Sequence, residues 1–306
     1  MIGCPPVRRI GIVTVARSDK GHLSPLIVAL GAQAIVAQWP DITPVLSTDL
    51  VVIFGDRWEM AAAAAHVAGQ CIPIVHLHAG ETTEAVIDDA CRWAISEMAT
   101  YRITAHDKYL YRLYDHGFAG VNLGAPGLAR LPIKTDLGRW NLLRPVILVQ
   151  FHPETRNLED IPHQVTELKA ALDDWLADIV ITEPGMDVGR EHILEAFAGQ
   201  FHSFTDDEWL AMLARANVLV GNSSCGIIET PSIPLASINI GNRQQGRLMA
   251  SSVIQAPHER DAIRAAINTA LGPEWRATHL TGENPYGDRG AATRIAEFLR
   301  TCALSS

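Results

Sequence analysis

Short, nearly unbroken apolar runs alternate with segments of helical periodicity along the whole chain. In the first half the runs are Ile10–Val15, Leu50–Phe54, Ile72–Leu77, Tyr101–Thr104 and Val121–Leu123. In the second half they are Val146–Gln150, Ile179–Thr182, Phe201–Phe204, Val218–Val220 and Leu235–Ile240. Runs this apolar belong to strands covered on both faces. Between them lie helical patterns, such as Asp19–Leu30 with Leu23, Leu26, Ile27 and Leu30 on one face, Asp88–Met98, Gln164–Leu176 and Glu259–Leu271. Strand–helix alternation predicts an α/β fold of doubly wound parallel sheets. A chain of 306 residues has room for two of them. The most polar join, Arg139–Pro145, sets the expected boundary: residues 1–140, residues 141–285, then a terminal segment 286–306 with a last helix at Ala291–Leu304.

Composition narrows the function. The net charge of −9 argues against a nucleic-acid binder or a membrane-surface protein. The five cysteines form no C-x-x-C pair and read as reduced thiols. The Arg8–Arg9 start, without a leader pattern, and the lack of any membrane-length apolar run lead to the expectation of a cytoplasmic protein.

Polar residues gather just past the strands, where the loops of an open α/β sheet share a crevice. In the first half these are Arg17, Asp56, His78, Glu81 and Asp88, a set suited to acid–base chemistry on an anionic substrate. His76 and His78 also have the spacing of two metal ligands on one strand face, a weak signal without a third histidine at ligand spacing, so no metal is expected. In the second half, V-L-V-G-N-S-S-C-G-I-I-E over Val218–Glu229 reads as a strand ending at a helix start. Asn222, Ser223 and Ser224 there offer N–H donors to a phosphate or diphosphate, and otherwise are ordinary capping residues. Arg243 and Arg247 follow the next strand and can face the same anion, and Glu229 can accept from a ribose diol. His152 follows Val146–Gln150.

These motifs, in order, resemble the UDP-N-acetylglucosamine 2-epimerase family, above all its hydrolysing branch that forms N-acetylmannosamine. The stretches are T-V-A-R-S-D (Thr14–Asp19), G-D-R-W-E (Gly55–Glu59), H-L-H-A-G-E-T-T-E (His76–Glu84) and I-D-D-A-C-R-W-A (Ile87–Ala94). They continue with F-H-P-E-T (Phe151–Thr155), P-G-M-D (Pro184–Asp187), G-N-S-S-C-G-I-I-E (Gly221–Glu229), N-I-G-N-R-Q-Q-G-R (Asn239–Arg247) and N-P-Y-G-D (Asn284–Asp288). The resemblance implies a GT-B-like architecture of two Rossmann-like domains with a cleft between them, the last helix packing back towards the first. It implies UDP on the second domain, held by Ser223, Ser224, Arg243 and His152 with Glu229 on the ribose, and the sugar among Arg17, Asp56, His78, Glu81 and Asp88. The implied reaction is anti elimination of UDP followed by hydration of the glycal to the C2 epimer, with no cofactor, in a homodimer.

The chain departs from the family at Ser24, where a lysine is usual, at Trp93, which replaces a histidine, at His78, where many members have glutamate, and after Glu229, where a glycine is missing. Only Gly31–Asp49 stand where the family has two further strands with their helices. That shortening leaves two alternatives open. One is a relative that makes or breaks a glycosyl bond at an anomeric carbon bearing a phosphate or nucleotide, such as a sugar transferase to a nucleobase. The other is a nucleotide-sugar-binding protein without turnover.

Overall fold

The computed structural model describes residues 8–83, 86–131, 137 and 140–304; the side chain of Arg17 also lies outside the described residues. The chain divides into two units, one of residues 1–81, 88–130 and 286–306, the other of residues 82–87 and 131–285.

The first unit holds six parallel strands: β1 (Ile10–Thr14), β2 (Ala34–Gln38), β3 (Leu50–Phe54), β4 (Ile74–Leu77), β5 (Tyr101–Thr104) and β6 (Val121–Asn122). Their order is β2-β1-β3-β4-β5-β6. Side chains alternate between the two faces. Leu50 and Val52 of β3 join Ile10, Ile12 and Val75 under α1 (Arg17–Leu30) and α11 (Ala291–Thr301), which adds Ile295 and Leu299. Val51 and Ile53 face the other way, with Val13 and Ile74, against Met60, Ala63 and Val67 of α2 (Trp58–Gly69) and Ile95 of α3 (Asp88–Met98). Helix α4 (Asp107–Asp115) precedes β6. The terminal segment is tied into this unit by Tyr286, whose buried hydroxyl meets that of Tyr109 at 2.9 Å.

The second unit repeats the plan with β7 (Val146–Gln150), β8 (Asp178–Thr182), β9 (Phe201–His202), β10 (Val218–Gly221), β11 (Ala236–Ile240) and β12 (Val253–Ala256), ordered β12-β11-β10-β7-β8-β9 and all parallel. Its helices are α5 (Ile161–Leu172), α6 (Arg190–Ala196), α7 (Asp206–Arg215), α8 (Cys225–Ile228), α9 (Arg260–Leu271) and α10 (Pro273–His279). The fold is α/β with doubly wound parallel sheets, as the alternation of runs predicts, and GT-B-like, as the family resemblance implies.

Three differences from the expected elements have local causes. Strand β2 forms inside Gly31–Asp49, the stretch too short for two βα units; one edge strand and a 3-10 turn at Thr43–Ser47 are what fit. Helix α5 starts at Ile161 rather than Gln164 because Pro162 suits a first turn, and it ends at Leu172, before Asp174 in a left-handed conformation. The helix expected through Glu229 stops at Ile228: Pro231 has no N–H to continue the α-helical ladder, and the chain goes on as a 3-10 turn over Thr230–Ser232.

Strand order locates the candidate chemistry. In an open α/β sheet, ligands bind beyond the strand C-termini where the order reverses. In the first sheet that switch falls between β1 and β3, so the loops at Val15–Arg17 and Gly55–Arg57 flank it. In the second it falls between β7 and β10, flanked by Phe151–Glu154 and Asn222–Ser224.

Candidate functional site

The acidic cluster of the first unit is organised by Arg92 of α3, a fully buried arginine. Its Nη1 donates to the carbonyl oxygen of His78 at 2.8 Å, and its Nη2 donates to Asp56. Asp56 follows Gly55, whose φ of +76° turns the chain out of β3. His78 has φ +60°, in the left-handed region, and its Nδ1 lies 2.5 Å from Oε1 of the buried Glu81. Gly80, φ +74°, packs so close that a Cβ there would meet the Tyr109 carbonyl oxygen at 2.4 Å. Asp88 stands one turn ahead of Arg92 on α3. The Cys91 thiol is pushed up by burial first and then by the charges of Asp88, Asp56 and Glu59. A row of rings, His22 on Phe54 (centroids 5.5 Å) and Phe54 edge-on to His78 (5.0 Å), runs across the ends of β3 and β4.

His76 has a different part from its neighbour two residues on. Its Nε2–H donates to the Gly55 carbonyl oxygen at 2.8 Å, and its Nδ1 accepts from Ser96 Oγ at 2.9 Å. Both ring nitrogens are spent inside the fold, so His76 braces the turn that presents Asp56. Burial, helped by the Arg92 charge, holds its pKa down at about 3 against the opposing hydrogen bond to Gly55. Below its ordinary value of about 6.5 the unfolded chain takes up a proton that folded His76 refuses. This group therefore makes stability fall as pH drops from about 6.5 towards about 3. Urea titrations across that window are expected to show a slope that His76→Asn flattens, and an unchanged slope in the variant would contradict this account.

The second unit gathers its residues by cross-bracing three loops. Asn222, fully buried, takes the His152 N–H on Oδ1 at 2.7 Å and returns a hydrogen bond from Nδ2 to the His152 carbonyl oxygen at 2.8 Å. His152 Nδ1 accepts from the Gly185 N–H at 2.9 Å, which places the ring proton on Nε2 as a donor. Gln244 Nε2 donates to the Asn222 carbonyl oxygen at 2.8 Å, and Arg243 Nη1 reaches the same oxygen at 3.5 Å. Arg243 Nη2 lies 3.6 Å from Asp187. Among the described residues, the Ser223 and Ser224 amides meet no protein acceptor. The four-residue helix α8 contributes little dipole, so donor capacity here rests on individual N–H groups and Arg243 rather than on a long helix axis. Arg247 Nη1 donates to Gln244 Oε1 at 3.0 Å, one step from the loop junction, and Glu229 is buried at the end of α8.

Residues 29–300 match the family described as UDP-N-acetylglucosamine 2-epimerase. Over 272 residues the chain is 30% identical to the polysialic acid biosynthesis protein P7 of Escherichia coli, covering 82% of this chain and 70% of that protein. The chain belongs to the UDP-N-acetylglucosamine 2-epimerase family. A second family relative, the hydrolyzing UDP-N,N'-diacetylbacillosamine 2-epimerase of Legionella pneumophila, is 29% identical over 317 residues, 97% of this chain and 81% of that one. The solved UDP-GlcNAc 2-epimerase of Neisseria meningitidis bound to UDP-GlcNAc superposes with a TM-score of 0.75 at 16% identity, covering 95% of this chain and 99% of that one. The UDP-N-acetylglucosamine 2-epimerase of Rickettsia bellii gives 0.75 at 14% identity, covering 97% of each.

For this epimerase-family chain, the structure joins Asp56, His78 and Glu81 through Arg92, and His152, Asn222 and Arg243 through the loop braces. The sequence pattern does not single out Arg92, Asp187, Gln244 or Glu154 as site residues. The signal for Arg92 was its place four residues after Asp88, which puts both on one helix face.

Proposed function

We propose that the protein is a hydrolysing UDP-N-acetylglucosamine 2-epimerase or a variant acting on another UDP-amino sugar. A base removes the C2 proton, the C1–O bond to UDP breaks with its electron pair leaving on the diphosphate, and C1=C2 forms. An acid then protonates C2, water adds at C1, and the C2 epimer is released as the free sugar. Asp56 and Asp88 are the candidates for base and acid, with Arg17, His78 and Glu81 on the sugar. In the second unit His152 Nε2–H, the Ser223 and Ser224 groups and Arg243 hold the diphosphate and stabilise it as it leaves. Glu229 takes the ribose, and Arg247 supports the Gln244 side of the loop. The observation that carries this reading is the buried Arg92, which pairs with Asp56 beside the switch point of the first sheet and holds the His78 backbone next to it, in a member of this family. A nucleotide-sugar-binding protein without turnover has no use for that acid–base set.

The test is incubation with UDP-N-acetylglucosamine and detection of free UDP and N-acetylmannosamine. UDP binding without either product would refute the reading and favour transfer to another acceptor. Replacing Ser223 and Ser224 together with alanine is expected to weaken UDP binding about tenfold, the loss of roughly 1.4 kcal/mol of hydrogen bonding. Unchanged affinity in calorimetry would remove the two hydroxyls from the site and leave the anion to the backbone N–H groups and Arg243.

A further inference from the structure

Beneath the Arg243 loop lies a buried pair with no place in the chemistry above. Glu154, two residues past His152, is 3% exposed. Its Oε1 accepts from the N–H groups of Asn242 at 2.7 Å and Arg243 at 3.0 Å, and lies 3.2 Å from His258 Nε2. The pair fills the space under Gly241, where a Cβ would meet His258 Nε2 at 2.0 Å and Glu154 Oε1 at 2.4 Å and where φ is +71°. The guanidinium of Arg243 is turned away from Glu154 towards Asp187 and the Asn222 carbonyl oxygen. Glu154 therefore holds the backbone of Arg243 and leaves its side chain to the loop that carries Ser223 and Ser224. Burial alone would raise the Glu154 pKa; the His258 hydrogen bond and the two amides outweigh it and keep the group an anion.

We propose that Glu154, seated on His258, is a positioning residue that fixes the Gly241–Arg243 turn and so delivers Arg243 to a nucleoside diphosphate. This rests on the diphosphate reading of the second unit. The geometry separates it from a general packing role. Glu154 touches the loop through two backbone donors, and its effect on an anionic ligand passes through one side chain, that of Arg243. A carboxamide at position 154 keeps an oxygen for both amides, whereas alanine leaves them without an acceptor.

The experiment is calorimetric titration of UDP into the full chain and into E154Q, E154A, R243A and E154A/R243A. E154A is expected to weaken UDP binding about 10- to 50-fold, E154Q within about threefold, and E154A to add less than about threefold on top of R243A. Additive losses in the double variant, or E154Q as weak as E154A, would overturn the proposal. A second readout needs no ligand: amide hydrogen exchange at Asn242 and Arg243 should quicken in E154A and stay slow in E154Q. Unchanged exchange in E154A would overturn the positioning role even if UDP binds. If the unaltered chain fails to bind UDP, the diphosphate reading falls, and the exchange arm alone decides whether Glu154 fixes the turn.

Discussion

Exchanging Arg92 for methionine is expected to cost about 3 kcal/mol of folding stability and at least about 100-fold in turnover. Arg92 is the hub of the first unit's cluster: one guanidinium joins Asp56 on the loop after β3 to the backbone of His78 after β4. Methionine fills much of the volume but removes the charge and both hydrogen bonds. Breaking a buried ion pair costs about 3–5 kcal/mol, because the remaining charge is stranded. The lower end applies here, since the side chains of Asp56 and Asp89 keep 17% and 19% of their exposure and can recover some hydration. Turnover suffers more than stability. His78 has φ +60° and loses the bond that holds its carbonyl oxygen, so the His78–Glu81 pair and Asp56 drift independently. Arg92→Lys keeps the charge without the planar fork and should fall between the two. Urea unfolding and UDP release from UDP-N-acetylglucosamine measure both effects. UDP affinity should hold, because the groups proposed to bind the diphosphate belong to the other unit. A methionine variant of normal stability and normal turnover would show that Arg92 is not the hub.

The contrast between what the sequence reveals and what it hides follows burial. L-V-V-I-F and V-I-L-V-Q are covered on both faces, and each appears as a continuous apolar run whose limits match β3 and β7 to the residue. A-I-V-A-Q and V-I-Q-A lie at sheet edges, half exposed, and carry no such run, so β2 and β12 emerge only from pairing with their neighbours. The site divides in the same way. Asp56, His78, Asn222 and Arg243 are visible because they follow strands. Arg92 is not, because an arginine inside a helix reads as a solvated residue until its complete burial is seen. His76 and His78 look alike in H-L-H; only backbone geometry separates a strand residue spent on Gly55 and Ser96 from a left-handed residue free to face Glu81. Sequence spacing also cannot reveal that Glu154 grips a loop 88 residues away.

Gly221→Ala is expected to unfold the second unit while leaving the first folded. Gly221 closes β10 at φ +150°, where side chains are strained, and a Cβ there would lie 1.9 Å from the backbone carbonyl oxygen of Gln150 in β7. A flexible side chain could swing aside, but a strand carbonyl cannot move without breaking the β7–β10 ladder. The overlap is expected to cost more than about 4 kcal/mol, in the range set by steric strain and lost strand pairing together. The damage also lands at the switch point of the second sheet. Asn222, the next residue, donates its N–H to that same Gln150 oxygen at 3.2 Å and exchanges two hydrogen bonds with His152. A shift of β10 therefore separates His152 from Asn222 and releases the Asn222 carbonyl oxygen from Gln244 and Arg243. Hydrogen exchange should show β7 and β10 amides exposed in the variant with β1 and β3 still protected, together with loss of UDP binding. Retention of wild-type protection at β7 and β10 would mean that the two strands can part by more than an ångström without losing their register, and the glycine would then owe its place to something other than this contact.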